Sequence, residues 1–150
     1  MRAIIQRVAQ ASVKVEGTTI SQIKQGLLVF LGIESADDEN DLLWLVDKLG
    51  NLRIFSDADG KMNLSVKDVS GSVIVVSQFT LHAKTKKGTR PSFIHAAAPS
   101  HAEPLYQQFI TEFSNRNEIQ TFGGKFGANM QVELLNDGPV TIIIDTKNKE

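Results

Sequence analysis

Two kinds of apolar spacing follow one another irregularly along this chain, and their order constrains the fold more than any other feature. Apolar runs fill the first third, with period two at residues 12–15 and without interruption at residues 27–31. Such runs are typical of half-buried and fully buried β-strands. Between residues 42 and 49 the apolar residues instead fall on one helical face, behind an acidic first turn. Several strands therefore precede the first helix.

Another buried strand is expected at residues 73–79, and a second helix is expected to start within residues 99–104. Ser100 and Glu103 have the spacing of a capping box, whereas Pro104 fits the first helical position if Glu103 is the cap. Either cap leaves the same apolar stripe on the buried face of the helix, formed by Leu105, Phe109 and Phe113.

Residues 136–139 carry strong turn chemistry, Asn-Asp-Gly-Pro, between apolar segments at 131–135 and 140–144. This pattern predicts a β-hairpin. Because strands and helices do not alternate regularly, we predict a single-domain α+β fold with two main helices and a mostly antiparallel, barrel-like sheet. The domain is expected to span residues 1–145, and residues 146–150 are expected to form a loose C-terminal tail.

The composition excludes several classes of chemistry. The 150 residues include no cysteine, so disulfides, thiolate nucleophiles and cysteine-ligated metals are ruled out. The formal net charge of −1 argues against a protein that coats duplex DNA. The N-terminus lacks the apolar core of a signal peptide, and no apolar run approaches the ~18 residues of a membrane span. We expect a cytoplasmic protein with no membrane or DNA partner.

Three features suggest a nucleotide or a metal without completing a known pattern. Residues 123–127 are glycine-rich but lack the Gly-Lys-Ser/Thr of a P-loop. Residues 57–60 begin like a calcium loop, but the glycine comes two residues early and the closing glutamate is missing. His82, His95 and His101 do not have the spacing of a metal site. We expect neither a metal nor a cofactor.

The end of the strand at residues 73–79 is unusually polar. An amide and hydroxyls follow its buried valines, and a cluster of cations comes next in the sequence. Thr80 and His82 would share one face of an extended strand, but no acidic residue nearby would orient the imidazole of a nucleophilic dyad. Cations in a loop are commonly just solvated, yet their position after a buried strand favours binding of a phosphate or an RNA terminus.

Several motifs together resemble the D-aminoacyl-tRNA deacylase family of the bacterial and eukaryotic type. The resemblance extends over almost the whole chain, with the motifs in the family's order. Those motifs are Gln6-Arg7-Val8, Ala11-Ser12-Val13, Arg53-Ile54-Phe55, Gly60-Lys61-Met62-Asn63-Leu64, Ser77-Gln78-Phe79-Thr80-Leu81, Lys87-Gly88, Arg90-Pro91-Ser92-Phe93 and Asn136-Asp137-Gly138-Pro139-Val140-Thr141.

The resemblance implies a homodimeric hydrolase that cleaves the ester between a D-amino acid, or glycine, and the terminal adenosine of tRNA. It implies that Gln78, Phe79 and Thr80 are catalytic, and backbone N–H groups at Gln78 and Phe79 suit the oxyanion. Thr80 is expected to position rather than attack, because no base is visible. The further substrate-binding residues that it implies are Ser77, Arg90, Pro91, Phe126 and Met130.

The resemblance also implies how L-amino acids are rejected. Gly138 and Pro139 would form a cis dipeptide that enters the partner subunit's active site, and Arg7 would hold that dipeptide in place. The cations of the loop, Lys84, Lys86 and Lys87, would contact tRNA phosphates. The residues alone leave one alternative open, a non-catalytic dimeric module that binds RNA ends.

Overall fold

The computed structural model describes residues 1–149, and one long strand, β1 (Arg2–Val15), organises its sheet. The other elements, in chain order, are β2 (Thr18–Ile23), β3 (Gly26–Gly32), α1 (Glu39–Gly50), β4 (Phe55–Ser56), β5 (Met62–Leu64), β6 (Ser72–Ser77), a 3-10 turn (Phe79–His82), α2 (Pro99–Asn117), β7 (Thr121–Gly123) and β8 (Gln131–Asp145). Within residues 1–149 no helix is long and apolar enough to cross a bilayer.

The main sheet is mixed and nearly closed. β1 pairs antiparallel with β3 along its first half, with β2 along its second half, and with β8 along both halves. β6 then joins β3 and β7 in parallel. At the two ends of this path, the Ser21 hydroxyl of β2 donates to the Gly123 carbonyl oxygen of β7 at 2.6 Å. The predicted α+β fold with two main helices and a barrel-like sheet is confirmed.

The strands β3 and β6 are buried on both faces, which explains their uninterrupted apolar sequences. Val73 and Val75 face a large core shared with α1 and α2. Ile74 and Val76 point the opposite way, into a smaller core with β1 and β2. Polar side chains on β6 are therefore confined to its ends.

The predicted hairpin around residues 136–139 is wrong. Both apolar segments belong to β8 and both pair with β1, so that Val132 lies opposite Val13 and Ile144 lies opposite Ala3. The register shifts between these two paired stretches. β1 is long enough to pair with both segments, so the Asn-Asp-Gly-Pro sequence interrupts one ladder instead of reversing the chain.

Helix α2 also begins earlier than its capping signals indicate. Ala98 is the cap and Pro99 takes the first turn, so neither Ser100 nor Glu103 caps the helix. The Ala98 carbonyl oxygen accepts from the N–H groups of residues 101 and 102. Pro99 suits this position because its fixed φ is already helical and it has no N–H to satisfy.

The segment after Asp145 differs from the expected loose tail. Thr146 is buried, and its hydroxyl oxygen accepts from the Met1 ammonium at 2.6 Å. The same ammonium forms a buried ion pair with Asp37. The end of the chain is therefore tied to the start of β1.

Two lysines extend this attachment onto α1. The Lys147 ammonium lies 2.6 Å from a carboxylate oxygen of Asp41, and the Lys149 ammonium lies 4.4 Å from the centre of the Trp44 ring. Asp41 also accepts from the N–H of Asp38, the helix cap, and so completes a capping box. Glu150 lies outside the described residues.

Asp41→Asn is expected to lower the free energy of unfolding at pH 7 by about 1–2 kcal/mol, because it weakens the capping box and removes the nearer of the two carboxylates beside Lys147. Burial alone raises the pKa of the Asp41 carboxyl, but hydrogen bonds from Lys147 and from the Asp38 N–H outweigh it and lower the pKa to about 2. Since the folded pKa lies below the ordinary 3.8, the carboxylate stabilises the fold above that value. This stabilisation is lost as the pH falls through about 2.

Urea unfolding of wild type and Asp41→Asn between pH 7 and pH 2 measures this effect, and the gap between the two should narrow as the pH falls. Asp47→Asn is the matched control, since Asp47 lies on the same helix and contacts Arg116 at 3.5 Å on an exposed surface. A gap that stays constant down to pH 2 would contradict the assignment.

Candidate active site

A cavity of about 640 Å³ opens at the carboxyl end of β6, between the sheet, the start of α2 and the loop that precedes β8. Leu31 and Val76 line it from the ends of β3 and β6. Opposite walls come from the segment after β6 and from the loop before β8. The lining residues that bear on function are Ser77, Gln78, Phe79, Phe93, Phe126 and Met130.

The cavity lining is electrically neutral. Among the described residues that line it, none is an Asp, Glu, His, Lys or Arg, and the polar side chains are Ser77, Gln78 and Asn129. Across residues 1–149, no three His, Asp or Glu side chains are grouped so as to hold a metal ion. The site therefore offers hydrogen-bond donors and acceptors rather than a charged acid or base.

The polar end of the predicted strand leaves the sheet one residue after β6. The N–H of Gln78 still donates to the Leu31 carbonyl oxygen at 2.8 Å, and the chain then enters the 3-10 turn. This bond corrects one expectation, because the Gln78 N–H is not free to stabilise an oxyanion. The N–H groups of Phe79 and Thr80 start the turn and have no backbone acceptor among the described residues.

The turn separates Thr80 from His82. Side chains two residues apart in a 3-10 helix point in different directions, so the shared face expected for an extended strand is not formed. Thr80 is exposed, and its hydroxyl oxygen accepts from the Gln78 side-chain amide at 2.5 Å. His82 is buried, and its Nε2 has no hydrogen-bond partner among the described residues. The hydroxyl–imidazole dyad is therefore absent.

Two aromatic rings stand at the mouth of the cavity. Phe79 is 57% exposed, and its ring meets that of Phe93 edge to face with the centroids 5.0 Å apart. On the opposite side, half-buried Phe126 and Met130 line the cavity. Phe93 was not singled out from the sequence as a pocket residue, although it belongs to the quoted Arg-Pro-Ser-Phe motif.

The four cations lie on a loop beside the cavity, and the two ends of this loop are hydrogen-bonded to each other. Backbone hydrogen bonds between Lys84 and Ser92, of 2.8 and 3.0 Å, close the loop at its base. All four cations are exposed, and none has an ion-pair partner among residues 1–149; they are Lys84, Lys86, Lys87 and Arg90. Arg90 and Pro91 lie on this loop and do not line the cavity.

Arg7 of β1 fixes the irregular part of β8. This residue is 8% exposed, and its guanidinium donates to the Asp137 carbonyl oxygen at 2.9 Å and to the Ile54 carbonyl oxygen at 2.6 Å. The Asp137 carboxylate lies 3.4 Å from its Nε. The Gly138–Pro139 bond is cis, and Gly138 has a φ of +138°.

Both residues of this dipeptide are exposed, and neither lines the cavity at the end of β6. The Asn136 side chain supports the segment from below, because its carbonyl oxygen accepts from the Val140 N–H at 2.9 Å. The contacts of Arg7 and Asn136 thus hold the dipeptide at the surface of the chain.

Comparison with known proteins identifies the family to which the chain is similar. The family model for D-Tyr-tRNA(Tyr) deacylase matches residues 4–145. The D-aminoacyl-tRNA deacylases of Akkermansia muciniphila and Flavobacterium johnsoniae are each 57% identical to this chain, over 150 and 152 residues, with 100% of both chains covered.

Two solved structures share the fold. One, described as c-Myc DNA Unwinding Element Binding Protein, has a TM-score of 0.90 at 43% identity, covering 97% of this chain and 98% of its own. The other, a probable eukaryotic D-amino acid tRNA deacylase, has a TM-score of 0.81 at 17% identity over 95% and 97% of the two chains, which shows the fold alone.

Fold and cavity together define a small α+β protein with a neutral pocket at the end of a barrel-like sheet. Because the family model covers nearly the whole chain and full-length relatives share more than half of its residues, the chain belongs to the D-aminoacyl-tRNA deacylase family. The family and enzyme class predicted from the sequence, a hydrolase acting on aminoacyl-tRNA, are confirmed.

Proposed function

We propose that this protein hydrolyses the ester between a D-amino acid, or glycine, and the 3′-terminal adenosine of tRNA, and that it spares L-aminoacyl-tRNA. The observation that carries this proposal is the neutral pocket at the end of β6, where Ser77 and Gln78 face the apolar side chains of Phe126 and Met130. Its volume of about 640 Å³ lies within the range of about 300–1,000 Å³ common for small-ligand sites. Aminoacyl-adenosine is a ligand of suitable size and polarity.

The absence of a charged base suits this reaction because an aminoacyl ester is already activated. A water molecule attacks the carbonyl carbon, the bond to the ribose oxygen breaks, and the products are the free amino acid and tRNA with its terminal hydroxyl. The oxyanion that forms on the way needs donors, and the backbone N–H groups of Phe79 and Thr80 are our candidates. The substrate's own 2′-hydroxyl is a further source of proton transfer.

Thr80 positions rather than attacks in this scheme. Its hydroxyl oxygen accepts from the Gln78 amide, and the nearest candidate base in sequence, His82, is buried. A threonine hydroxyl without a neighbouring base is a weak nucleophile at neutral pH. We therefore assign Thr80 and Gln78 to orientation of the water and the ester.

Chiral selection is assigned to the partner subunit's copy of the Gly138–Pro139 dipeptide. Its exposure and its rigid attachment through Arg7 favour insertion into a neighbouring subunit. Carbonyl oxygens of the dipeptide would face the substrate's α-carbon and leave no room for an L side chain. Such a wall rejects one enantiomer by overlap alone, and hydrogen is the only substituent of glycine that it meets.

A homodimer follows from this assignment and has independent support on β8. Leu135 and Ile143 are 57% and 67% exposed on a strand whose β-ladder is with β1, so they offer apolar surface to a partner. Both residues belong to the strand that carries Gly138 and Pro139. A partner packed along β8 would bring the dipeptide of each subunit toward the other.

The four cations of the Lys84–Arg90 loop are assigned to phosphates of the tRNA acceptor end. Their position beside a neutral pocket separates attraction of the RNA from the chemistry. We do not extend the DNA binding named in the 43%-identical structure to this chain, because its formal net charge is −1 and this basic cluster is confined to one loop. A tRNA substrate implies action in the cytoplasm.

Purified protein is expected to release D-tyrosine from D-Tyr-tRNA at least about a hundredfold faster than L-tyrosine from L-Tyr-tRNA, since a steric clash of about 2.7 kcal/mol gives that ratio. Time courses of ester loss with both substrates measure it, with buffer alone as control. Equal rates of amino-acid release from both substrates, or no release from either, would contradict the proposal. Binding of charged and uncharged tRNA with equal affinity and no turnover would favour the non-catalytic RNA-end-binding module.

Thr80→Ala is expected to lower kcat for D-Tyr-tRNA by less than about a hundredfold. This is below the loss of about 10²–10³ that removal of an oxyanion donor causes, because the substitution keeps the backbone N–H of residue 80. Single-turnover rates under saturating enzyme measure the chemical step. Thr111→Ala is the matched control, because Thr111 is an exposed threonine of α2 remote from the cavity. A larger loss would contradict the positioning role of the Thr80 hydroxyl.

Ile143→Glu is expected to convert the dimer into a monomer and to lower the D/L rate ratio at least about tenfold, because a buried unpaired charge costs several kcal/mol and the chiral wall comes from the partner. Light scattering and the paired ester assay measure the two effects. Ile20→Glu, at an exposed apolar position on β2, controls for the added charge. A wild-type monomer, or a monomeric variant with an unchanged ratio, would refute the cross-subunit assignment.

A further inference from the structure

The peptide between Gly123 and Gly124 is held by side chains from two other elements. The Ser21 hydroxyl of β2 donates to the Gly123 carbonyl oxygen at 2.6 Å. The Gly124 N–H lies 2.8 Å from the Tyr106 hydroxyl oxygen of α2 and 3.0 Å from the Val75 carbonyl oxygen of β6. This peptide is where the chain leaves β7 and enters the loop that forms one wall of the cavity.

Tyr106 connects that loop to the strand that carries the polar residues of the site. Its side chain is fully buried, and its hydroxyl donates to the Val75 carbonyl oxygen at 2.7 Å while accepting from the Gly124 N–H. Burial raises the pKa of the Tyr106 phenol to about 12, against an opposing effect of the Gly124 hydrogen bond. The phenol therefore keeps its proton, and its role as donor, at every pH at which the protein would work.

The two ends of the loop between β7 and β8 lie close together. A displacement of the Gly123–Gly124 peptide would therefore also move the loop residues that line the cavity. A Cβ atom on Gly124 would lie 2.5 Å from the Met130 sulfur, which shows how closely the two ends of the loop approach. Between them, the Phe126 ring packs on the Tyr106 ring with the centroids 5.8 Å apart. Phe126 and Met130 both line the cavity, and Tyr106 itself does not.

We propose that Tyr106 is a positioning residue, whose hydroxyl sets the distance between the loop wall of Phe126 and Met130 and the polar end of β6. In doing so it controls how tightly the terminal adenosine is bound. This inference rests on the proposed deacylase function and adds to it a residue that touches no substrate. Ser21 supports the same peptide from the other side.

The hydroxyl can be removed without removing the ring. In Tyr106→Phe the Gly124 N–H keeps the Val75 carbonyl oxygen as its acceptor and Ser21 still holds the Gly123 carbonyl oxygen. The loop therefore stays attached, but one of its three anchors is gone. The Phe79 and Thr80 N–H groups do not depend on that anchor. The change should therefore affect binding more than the chemical step.

For D-Tyr-tRNA, Tyr106→Phe is expected to raise KM about five- to twentyfold, the effect of one buried hydrogen bond, and to leave kcat within about twofold. Ser114→Ala is the matched control, since it also removes a half-buried hydroxyl of α2, one that donates to the Ile119 carbonyl oxygen at 3.1 Å, far along the helix. Its KM should stay within about twofold of wild type.

A second readout does not depend on turnover. Amide hydrogen exchange of residues 124–130 should become faster in Tyr106→Phe, while the amides of β3 keep their wild-type rates. Because Tyr106 acts through Phe126, the effects of Tyr106→Phe and Phe126→Leu on KM should also be less than multiplicative in the double variant.

The outcomes separate the two hypotheses. No turnover of D-Tyr-tRNA by the wild type would remove the proposed function, whereas loop exchange that responds to Tyr106→Phe would still locate the anchor. Wild-type turnover with unchanged KM and unchanged exchange in Tyr106→Phe would overturn the positioning role alone. If Tyr106→Phe instead lowers kcat as much as it raises KM and also weakens the exchange protection of β3, Tyr106 only stabilises the fold in general. That result would overturn the positioning role as well.

Discussion

The burial of β6 on both faces is the constraint on which the site depends. β3 and β7 flank this strand, one core covers one of its faces and a second core covers the other, so a polar side chain within it would lose its hydration without compensation. Ser77 and Gln78 are polar because the strand emerges from both cores at that point. The 3-10 turn follows directly and leaves backbone N–H groups unpaired at the rim.

The pairing of β8 with β1 determines where the dipeptide that we assign to chiral selection lies. Two stretches of one strand hold the same partner, and the residues between them cannot slide, because a slip of one residue would turn Ile144 and Val132 to the wrong face. The interruption at residues 136–139 is consequently fixed in position while its tip stays exposed. Arg7 comes from the partner strand of that ladder, so one pairing sets both the place of the dipeptide and its support.

Features of the fold that depend on local sequence patterns could be predicted, whereas those that depend on long-range pairing could not. The uninterrupted strand at β3, the stripe of α1 and the polar end of β6 are local patterns, and the structure has them where they were expected. Asn-Asp-Gly-Pro also has a strong local meaning, a tight turn, but the length of β1 overrides it with a pairing that no local rule contains. The cap of α2 was misassigned for a related reason, although the helix begins within the expected residues 99–104. Ser100 and Glu103 have capping chemistry, but Pro99 already fixes a helical φ and Ala98 is the cap.

The residues of the candidate site also fall into those that the sequence predicts and those that it does not. Ser77 to Thr80 could be chosen because they break the apolar pattern of a strand, and the motifs around them resemble a known family. Tyr106 could not be chosen from the sequence, because its spacing on α2 is that of any core residue. Its hydrogen-bond partners lie on β6 and directly after β7. Its hydroxyl is the one signal available, because a buried phenol needs a hydrogen-bond partner, and that partner is not visible in sequence.

A neutral pocket beside a cationic loop implies a division of labour. Charges close to the reacting ester would perturb its carbonyl and hold water tightly, whereas charges at the loop act on phosphates through solvent and weaken with salt. The recognition of tRNA and the stabilisation of the oxyanion can then vary independently. In the mechanism that we propose, the backbone supplies the groups closest to the chemistry. These are the N–H groups of Phe79 and Thr80 and the carbonyls of the partner's Gly138–Pro139 dipeptide, so side-chain substitutions there would act mainly through position. In such a site the residues that hold the backbone, Arg7 for the dipeptide and Tyr106 for the loop wall, become as important as those that line the cavity.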